Sequence, residues 1–322
     1  MEKQIQVWKF ISDSLFNNIP VVLLYVLEST GSSPGRQGFF MAVNTYGEME
    51  GSIGGGIMEY KFVEMAKAKL KVEADETSVH KQIHDKTAPK HKSGMICSGE
   101  QTIVIYKIFN TDKAHIEHII ECLHQQQNGT LHLSPAGISF NSKLSPHDFE
   151  FKLTSEQDWR YTEKIGFKNQ LYIIGGGHCA LSFSRIMRMM DFHIHLYDDR
   201  SNLNTMEKNE YAHQKHVIKD YGEISSHIPE GKNHYVVVMT FGYRSDYVAL
   251  WSLLGKKFKY VGLLGSKNKI DKMFADYIQE GIEASLLEAI HAPIGVNIKS
   301  QTPEEIAISI AAEIIKVKNE NL

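Results

Sequence analysis

The stretch that decides the fold is LYIIGGGHCA, residues 171–180. An apolar run of strand length leads directly into Gly175-Gly176-Gly177, and a segment with helical spacing follows to about Met190. Glycines at such a turn let the chain reverse tightly and let backbone N–H groups approach a phosphate at the positive end of the helix. This order predicts the first unit of a Rossmann-type parallel sheet.

An acidic residue follows at the spacing typical of this fold. Asp198 ends the next apolar segment, 23 residues after Gly175, and a carboxylate there can accept hydrogen bonds from ribose hydroxyls. Since it would repel a 2′-phosphate, its charge favours NAD over NADP. Further apolar runs at 235–240 and 259–264 alternate with helical stretches, which predicts right-handed βαβ units. The glycine turn itself is compatible with nucleotide binding and with a purely architectural role.

The first half of the chain has a different pattern. Helical spacing over residues 2–16 precedes a β-rich apolar run at 21–27, a hairpin at 39–53 and a further strand at 102–108. We therefore predict the α/β class, with an N-terminal α+β domain at residues 1–166. A C-terminal Rossmann-type parallel sheet follows at 167–322.

The composition narrows the class of protein. The 322 residues include 35 Lys plus Arg and 38 Asp plus Glu, a net charge of −3, which argues against binding duplex nucleic acid through global charge. No apolar run reaches the roughly 18–20 residues of a membrane span, and the first residues carry charges where a secretory signal is apolar. Three widely spaced cysteines with no CxxC pair disfavour a zinc knuckle or a disulfide framework. We expect a cytoplasmic protein.

Two further segments are candidate anion sites. Gly54-Gly55-Gly56 again lies between a strand and a helix, with Glu59 in the first helical turn. Its N–H groups either hold an anion or form a tight connection that Glu59 caps, and the spacing favours the second interpretation. Gly265-Ser266 lies in GLLGSKNK, which lacks the order of a P-loop. The lysines there are either solvated or bind an anionic ligand.

Cys97 is the cysteine with a candidate chemical role. It lies in GMICSG, after a basic segment at 80–92 that would lower the pKa of a nearby thiol. The alternative is a small buried residue beside a solvated loop. Cys179, in the first turn after Gly177, has either a lowered pKa or a packed position, and packing is favoured. Cys122 lies in an apolar helical stretch and is expected in the core.

Together these motifs resemble the XdhC/CoxI family, the accessory proteins of xanthine dehydrogenase and related molybdenum hydroxylases. The resemblance covers nearly the whole chain, and its motifs occur in the family's order. In the first half they are TGSSP (30–34), GSIGGG (51–56) with Glu59, and GMIC (94–97). In the second half they are GGGH (175–178), DDR (198–200), GLLGS (262–266), PIG (293–295) and QTPEEIA (301–307).

The resemblance implies a ligand and partners. Family members are understood to bind molybdenum cofactor (molybdopterin), protect it and help insert its sulfurated form into the hydroxylase. The implied partners are a molybdenum hydroxylase and a cysteine desulfurase, and the implied assembly is a homodimer. The candidate cofactor-binding residues are Gly54, Gly55, Gly56, Glu59, Cys97, Gly175, Gly176, Gly177, His178, Asp198, Gly265 and Ser266. Cys97 is also the candidate catalytic residue and molybdenum ligand, because a thiolate is a soft ligand.

The chain departs from the family pattern at two places. Ser98 follows Cys97 where the family usually has glycine, and Phe241 and Tyr243 stand where many members carry histidines. We expect the ligand in a cleft between the two domains, faced by both triple-glycine loops. An accessory role is the leading interpretation. The alternatives are an NAD-dependent oxidoreductase, using Gly175, Gly177 and Asp198, and a nucleotide-sensing Rossmann protein.

Overall fold

Three β-sheets organise the part of the chain that the structure describes. The computed structural model describes residues 1–72, 77–83 and 99–320. The chain divides into two units, Met1–Gly166 and Phe167–Leu322. The first unit contains two antiparallel sheets, and the second contains one parallel sheet.

The first unit has three helices and nine strands among its described residues. The helices are α1 (Glu2–Phe16), α2 (Gly56–Leu70) and α3 (Lys113–His124). The strands are β1 (Val21–Gly31), β2 (Phe40–Asn44), β3 (Met49–Gly51), β4 (Ser78–Ile83), β5 (Gly99–Lys107), β6 (Gly129–Ser134), β7 (Gly137–Asn141), β8 (Phe149–Ser155) and β9 (Asp158–Ile165). The strand orders are β3-β2-β1-β5-β4 and β7-β6-β9-β8.

A buried carboxylate joins the two sheets of the first unit. Glu163 on β9 accepts hydrogen bonds from the Tyr25 hydroxyl at 2.7 Å and from the Tyr161 hydroxyl at 2.6 Å. Tyr25 lies on β1, the central strand of the other sheet, and its ring stacks on Phe40. Burial, followed by the charge of Glu163, raises the pKa of Tyr25 well above its ordinary value, so both hydroxyls stay protonated donors.

The second unit has the predicted Rossmann-type architecture. Its strands are β10 (Asn169–Ile174), β11 (Phe192–Asp198), β12 (Gln214–Val217), β13 (Gly231–Val238) and β14 (Phe258–Leu263). Its helices are α4 (His178–Met189), α5 (Asn204–Glu207), α6 (Ile224–His227), α7 (Tyr243–Leu253), α8 (Lys267–Gln279), α9 (Ala284–Glu288) and α10 (Pro303–Asn319). The strand order is β12-β11-β10-β13-β14, all parallel. The predicted fold class is confirmed.

The sheet of the second unit is buried on both faces, which explains the uninterrupted apolar run in β10. Leu171 and Ile173 pack in a core cluster with residues of α4 and α10. Tyr172 and Ile174 pack on the opposite face with residues of α7 and α8. The last helix begins at a capping box, in which Thr302 is the N-cap and Glu305 its partner.

Histidines line the border of β11 and β12. His193 Nδ1 lies 3.0 Å from His195 Nε2, and the His193 ring stacks on His213 at 4.7 Å. Burial, followed by the charge of Arg188, lowers the pKa of His193 to about 4. Burial and neighbouring imidazoles lower the pKa of His195 to about 4 and that of His213 to about 3. These rings are neutral at pH 7.

One strand of the parallel sheet has no signal in the sequence. β12 was not predicted, because this edge strand is mostly exposed and polar and has no apolar run. Within the described ranges, no helix combines the length and apolar character that a membrane span needs.

Candidate functional site

The glycine loop of the second unit lies at the carboxyl edge of the parallel sheet, directly after β10. Gly175 has a φ of +110°, and its N–H donates to the Tyr197 carbonyl at 2.7 Å. A Cβ at Gly175 would lie 2.3 Å from the Met239 carbonyl oxygen. Glycine is therefore required here because the backbone that follows β13 leaves no room for a side chain.

The next two glycines differ in their surroundings. The Gly176 N–H donates to Asp198 Oδ2 at 2.7 Å, and the Gly176 carbonyl accepts from the Thr205 hydroxyl at 2.5 Å. Gly177 is the N-cap of α4, and a Cβ there would meet nothing within 4 Å. His178, the first residue of α4, is exposed. The beginning of α4 thus borders open space, and its positive end favours an anion.

The acid predicted to bind a ribose is engaged inside the protein. Asp198 is 0% exposed. Its Oδ1 accepts from the backbone N–H and Nε of Arg200 at 2.9 and 2.8 Å, and its Oδ2 accepts from Arg200 Nη2 at 2.8 Å as well as from Gly176. Although burial acts to raise it, these hydrogen bonds lower the pKa of Asp198. A ribose would have to displace Arg200, so the preference for NAD drawn from this charge does not follow from the geometry.

At this edge the exposed Asp199 carboxylate lies 3.9 Å from Nε of a second charged group, Arg200. The Arg200 side chain is 39% exposed, and its guanidinium carbon lies 5.6 Å from the centroid of the Phe241 ring. Phe241 follows β13 and is 87% exposed. Sequence reasoning assigned no role to either residue, although DDR was among the motifs and Phe241 was noted where the family often has histidine. The sequence feature that could have identified both residues is their position, because each follows a strand that neighbours β10.

A second buried ion pair lies at the same edge. Asp246, in the first turn of α7, is buried and accepts from the N–H and hydroxyl of Thr240 at 2.8 and 2.6 Å. Lys269 of α8 forms an ion pair with it and also donates to the Leu264 carbonyl at 3.1 Å. Gly265 precedes Ser266, whose hydroxyl caps α8 by accepting from the Lys269 N–H. Lys269 is therefore committed to the protein, whereas the exposed Lys267 pairs with Asp271.

The triple glycine of the first unit already holds a carboxylate. Glu59 Oε2 accepts from the Ser52 hydroxyl at 2.7 Å and from the N–H groups of Ile53 and Gly55 at 2.9 and 3.0 Å. Gly54, Gly55 and Gly56 all have positive φ, which only glycine adopts readily in succession. This is the geometry of the capping interpretation, and an external anion would have to displace Glu59.

Of the three cysteines, the structure describes Cys122 and Cys179. Cys97 lies outside the described residues, as does the basic segment from residue 84 onward. Cys122 is buried, as expected, and burial raises the pKa of its thiol. Cys179 is partly buried and packs against a core cluster, in agreement with the packed interpretation, and burial, followed by the charge of Glu304, raises the pKa of its thiol. In the described ranges, no group of three or more His, Cys, Asp or Glu side chains is arranged to hold a metal ion.

The fold and this edge define a protein with a Rossmann-type unit joined to an α+β unit. The XdhC Rossmann domain matches residues 171–314, and the XdhC and CoxI family matches residues 15–80. The chain belongs to the XdhC/CoxI family.

Relatives of the chain are similar over most of its length. The uncharacterized protein YqeB of Escherichia coli (strain K12) is 24% identical over 303 residues, which is 94% of this chain and 44% of that protein. This chain thus spans less than half of that relative. A probable xanthine dehydrogenase subunit of Bacillus subtilis (strain 168) is 23% identical over 319 residues, 92% of this chain and 93% of that one. A crystal structure of a xanthine dehydrogenase from Bacillus halodurans has the same fold, with a TM-score of 0.69, 20% identity, and coverage of 98% of this chain and 96% of that one.

Proposed function

We propose that this chain is an accessory protein that binds molybdenum cofactor and helps its sulfuration and insertion into a xanthine dehydrogenase-type molybdenum hydroxylase. The observation that carries the proposal is that both halves of the chain match the XdhC/CoxI family. A relative aligned over nearly the full length of both chains is a probable xanthine dehydrogenase subunit. The proposed partners are the hydroxylase and a cysteine desulfurase, and the proposed assembly is a homodimer.

The carboxyl edge of the parallel sheet suits the non-metal part of this cargo. Molybdenum cofactor joins a pterin heterocycle to a phosphate and to a dithiolene that holds the metal. The open space at Gly177 gives a phosphate access to the beginning of α4. Arg200 supplies positive charge at the same edge, and Phe241 supplies an exposed ring. These residues fit a phosphate and a heterocycle.

The metal part of the cargo needs a soft donor, and the proposal assigns it to Cys97. A Cys97 thiolate can bind molybdenum or carry a persulfide sulfur supplied by the desulfurase, whereas a protonated thiol does neither well. The other two cysteines have raised pKa values through burial. Cys97 is the favoured donor because it follows a basic segment, which would lower the pKa of its thiol.

Metal and pterin analysis tests this proposal. The full chain is expressed in a molybdenum-replete host and purified, and molybdenum is measured together with the fluorescent pterin released by oxidation. We expect both in a constant ratio to protein, and transfer of molybdenum to an apo-hydroxylase on mixing. Stoichiometric NAD with neither molybdenum nor pterin would instead support the oxidoreductase or nucleotide-sensing alternative.

A further inference from the structure

We propose that Arg200 and Phe241 form a recognition pair for a phosphate monoester attached to a flat heterocycle, and that Asp198 is the positioning residue of Arg200. The two recognition residues follow β11 and β13, the strands on either side of β10. The strand order reverses direction at β10, and ligands of open α/β sheets bind at such a switch point. This inference deepens the proposed function, and where it concerns molybdenum cofactor it rests on that proposal.

One side of the planar Arg200 guanidinium, that of Nε and Nη2, is hydrogen-bonded to Asp198. Nε and Nη2 form a fork on the two oxygens of Asp198, at 2.8 Å each, and Asp198 is buried and held in turn by the Gly176 N–H. Among the described residues, Nη1 of Arg200 has no hydrogen-bond partner, and the side chain is 39% exposed. A guanidinium fixed in this way is a preorganised phosphate receptor, because little side-chain entropy is lost on binding.

Phe241 provides the surface for a ring. Of the large apolar side chains exposed in the described residues it is the most exposed, at 87%. The neighbouring Gly242 is the N-cap of α7, and a Cβ there would meet nothing within 4 Å. The space beside the ring is therefore open. A heterocycle can stack on this exposed aromatic ring, and the nearby Arg200 adds a cation–π contact.

The charge at the end of β11 defines the ligand class. Arg200 pairs with Asp198, and the partly exposed Asp199 carboxylate lies 3.9 Å from Arg200 Nε, so this strand end has no net positive charge. What it offers a phosphate is a directed guanidinium N–H donor, where the two acids alone would have repelled one. In dinucleotide-binding folds an arginine in this region accommodates the 2′-phosphate that distinguishes NADP from NAD. The shared chemistry is a heterocycle bearing a phosphate monoester, which is present in molybdopterin and in the 2′-phosphoadenosine part of NADP.

Matched ligand pairs test this pair of residues. Isothermal titration calorimetry on the full chain compares neopterin monophosphate with neopterin, and NADP⁺ with NAD⁺. In wild type we expect the phosphorylated member of at least one pair to bind about 10- to 100-fold more tightly, from one charge-assisted contact. The pair that shows the effect identifies the source of the ligand. Equal affinities within both pairs would overturn the inference.

Variants separate recognition from folding. Arg200→Ala should abolish the preference for phosphate, and Phe241→Ala should weaken both members of the pair about tenfold, since it removes a ring contact. Phe16→Ala removes a similarly exposed phenylalanine at the end of α1, and Arg185→Ala removes an exposed arginine within α4; both should bind as wild type. Unchanged binding by well-folded Phe241→Ala or Arg200→Ala would remove that residue from the pair.

The positioning role of Asp198 has its own readout. Arg200→Lys keeps the charge and loses the fork, so it should retain only part of the phosphate preference. Asp198→Asn leaves Arg200 in place without its ionic fork. The preference ratio of this variant should fall in folded protein, even though the side chain at position 198 makes no ligand contact. A ratio equal to that of wild type would reduce Asp198 to a purely structural role.

The inference and the proposed function can fail separately. If wild type purified from a molybdenum-replete host retains molybdopterin and the Arg200→Ala and Phe241→Ala proteins retain as much, the inference fails and the proposed function stands. If wild type retains none but binds NADP⁺ in an Arg200-dependent manner, the proposed function fails and the recognition pair stands.

Discussion

Residues 54–56 and 175–177 are both triple glycines between a strand and a helix, each with a carboxylate hydrogen-bonded to a loop N–H. In the first loop the carboxylate is Glu59, which comes from the following helix and takes the N–H groups of Ile53 and Gly55. In the second it is Asp198, which comes from the neighbouring strand, accepts from the Gly176 N–H of the loop and also binds Arg200 through two guanidinium nitrogens.

The difference lies in what remains for a ligand. Glu59 occupies its loop as an internal anion, whereas Asp198 accepts from Gly176 and leaves the space at Gly177 open. The same strand–glycine–helix pattern thus serves as a self-capped connection in one unit and as the border of an open edge that presents the Arg200 guanidinium in the other. What separates them is the element that supplies the carboxylate.

The largest expected effect is that the unit carrying the second loop, residues 175–177, loses stability in acid before the other unit does. The pKa values of His193 and His195 are lowered to about 4 and that of His213 to about 3. The stability that these neutral rings contribute is fully present above their ordinary pKa of 6.5 and is lost as pH falls towards 4. Each ring removes up to about 1.4 kcal/mol per pH unit, so the unit carrying residues 175–177 should open first.

Amide hydrogen exchange followed by mass spectrometry, from pH 7.5 down to pH 4.5 with correction for intrinsic rates, checks this. Peptides of β11 should lose protection before those of β1. The variant His195→Asn serves as the control, because it removes one titrating ring and should reduce the pH slope. Simultaneous loss of protection in both units, or loss from the first unit alone, would contradict the prediction.

The next largest effect tests why each glycine of the second loop is glycine. Gly175→Ala places a methyl group against the Met239 carbonyl at positive φ, and we expect a loss of about 3 kcal/mol in the free energy of unfolding. Gly177→Ala meets open space, so a loss below about 1 kcal/mol is expected. Urea denaturation of both variants measures this. Equal losses for the two variants would contradict the open space that the structure shows at Gly177.

A smaller effect compares the two carboxylates directly. Asp198→Asn removes the charge from a buried fork and should cost about 2 kcal/mol at pH 7, less than a fully buried pair because Arg200 is partly exposed. Glu59→Gln keeps one acceptor oxygen for its loop and should cost about 1 kcal/mol. Thermal and urea unfolding measure both, and a larger loss for Glu59→Gln would reverse the ranking of the two loops.

The smallest effect on folding concerns whether the first unit takes part in binding at all, since Glu59 occupies its loop. Cys97→Ser should weaken retention of molybdenum cofactor while leaving the melting temperature nearly unchanged, because the change in size is small. Cys122→Ser, in the buried core, should leave retention unchanged. Equal retention by wild type and folded Cys97→Ser would leave the carboxyl edge of the parallel sheet to bind alone.

Much of the fold follows from local pattern. The alternation of apolar runs and helical stretches predicted the parallel sheet. Where the pattern is weak the prediction failed, as for β12, whose mostly exposed polar residues carry no periodic apolar signal.

For the site, the sequence by itself determined which residues stand at the strand ends: the glycines, Asp198 and Phe241. Local order suffices there, because a strand followed by glycine and a helix has few alternatives. Only the tertiary structure decided what those residues do. Asp198 turns inward onto Arg200 and Gly176, and Phe241, far along the chain, lies beside the Arg200 guanidinium. The physical reason is that a charge acts through its neighbours in space, and β11 and β13 both lie beside β10 only once the sheet has formed.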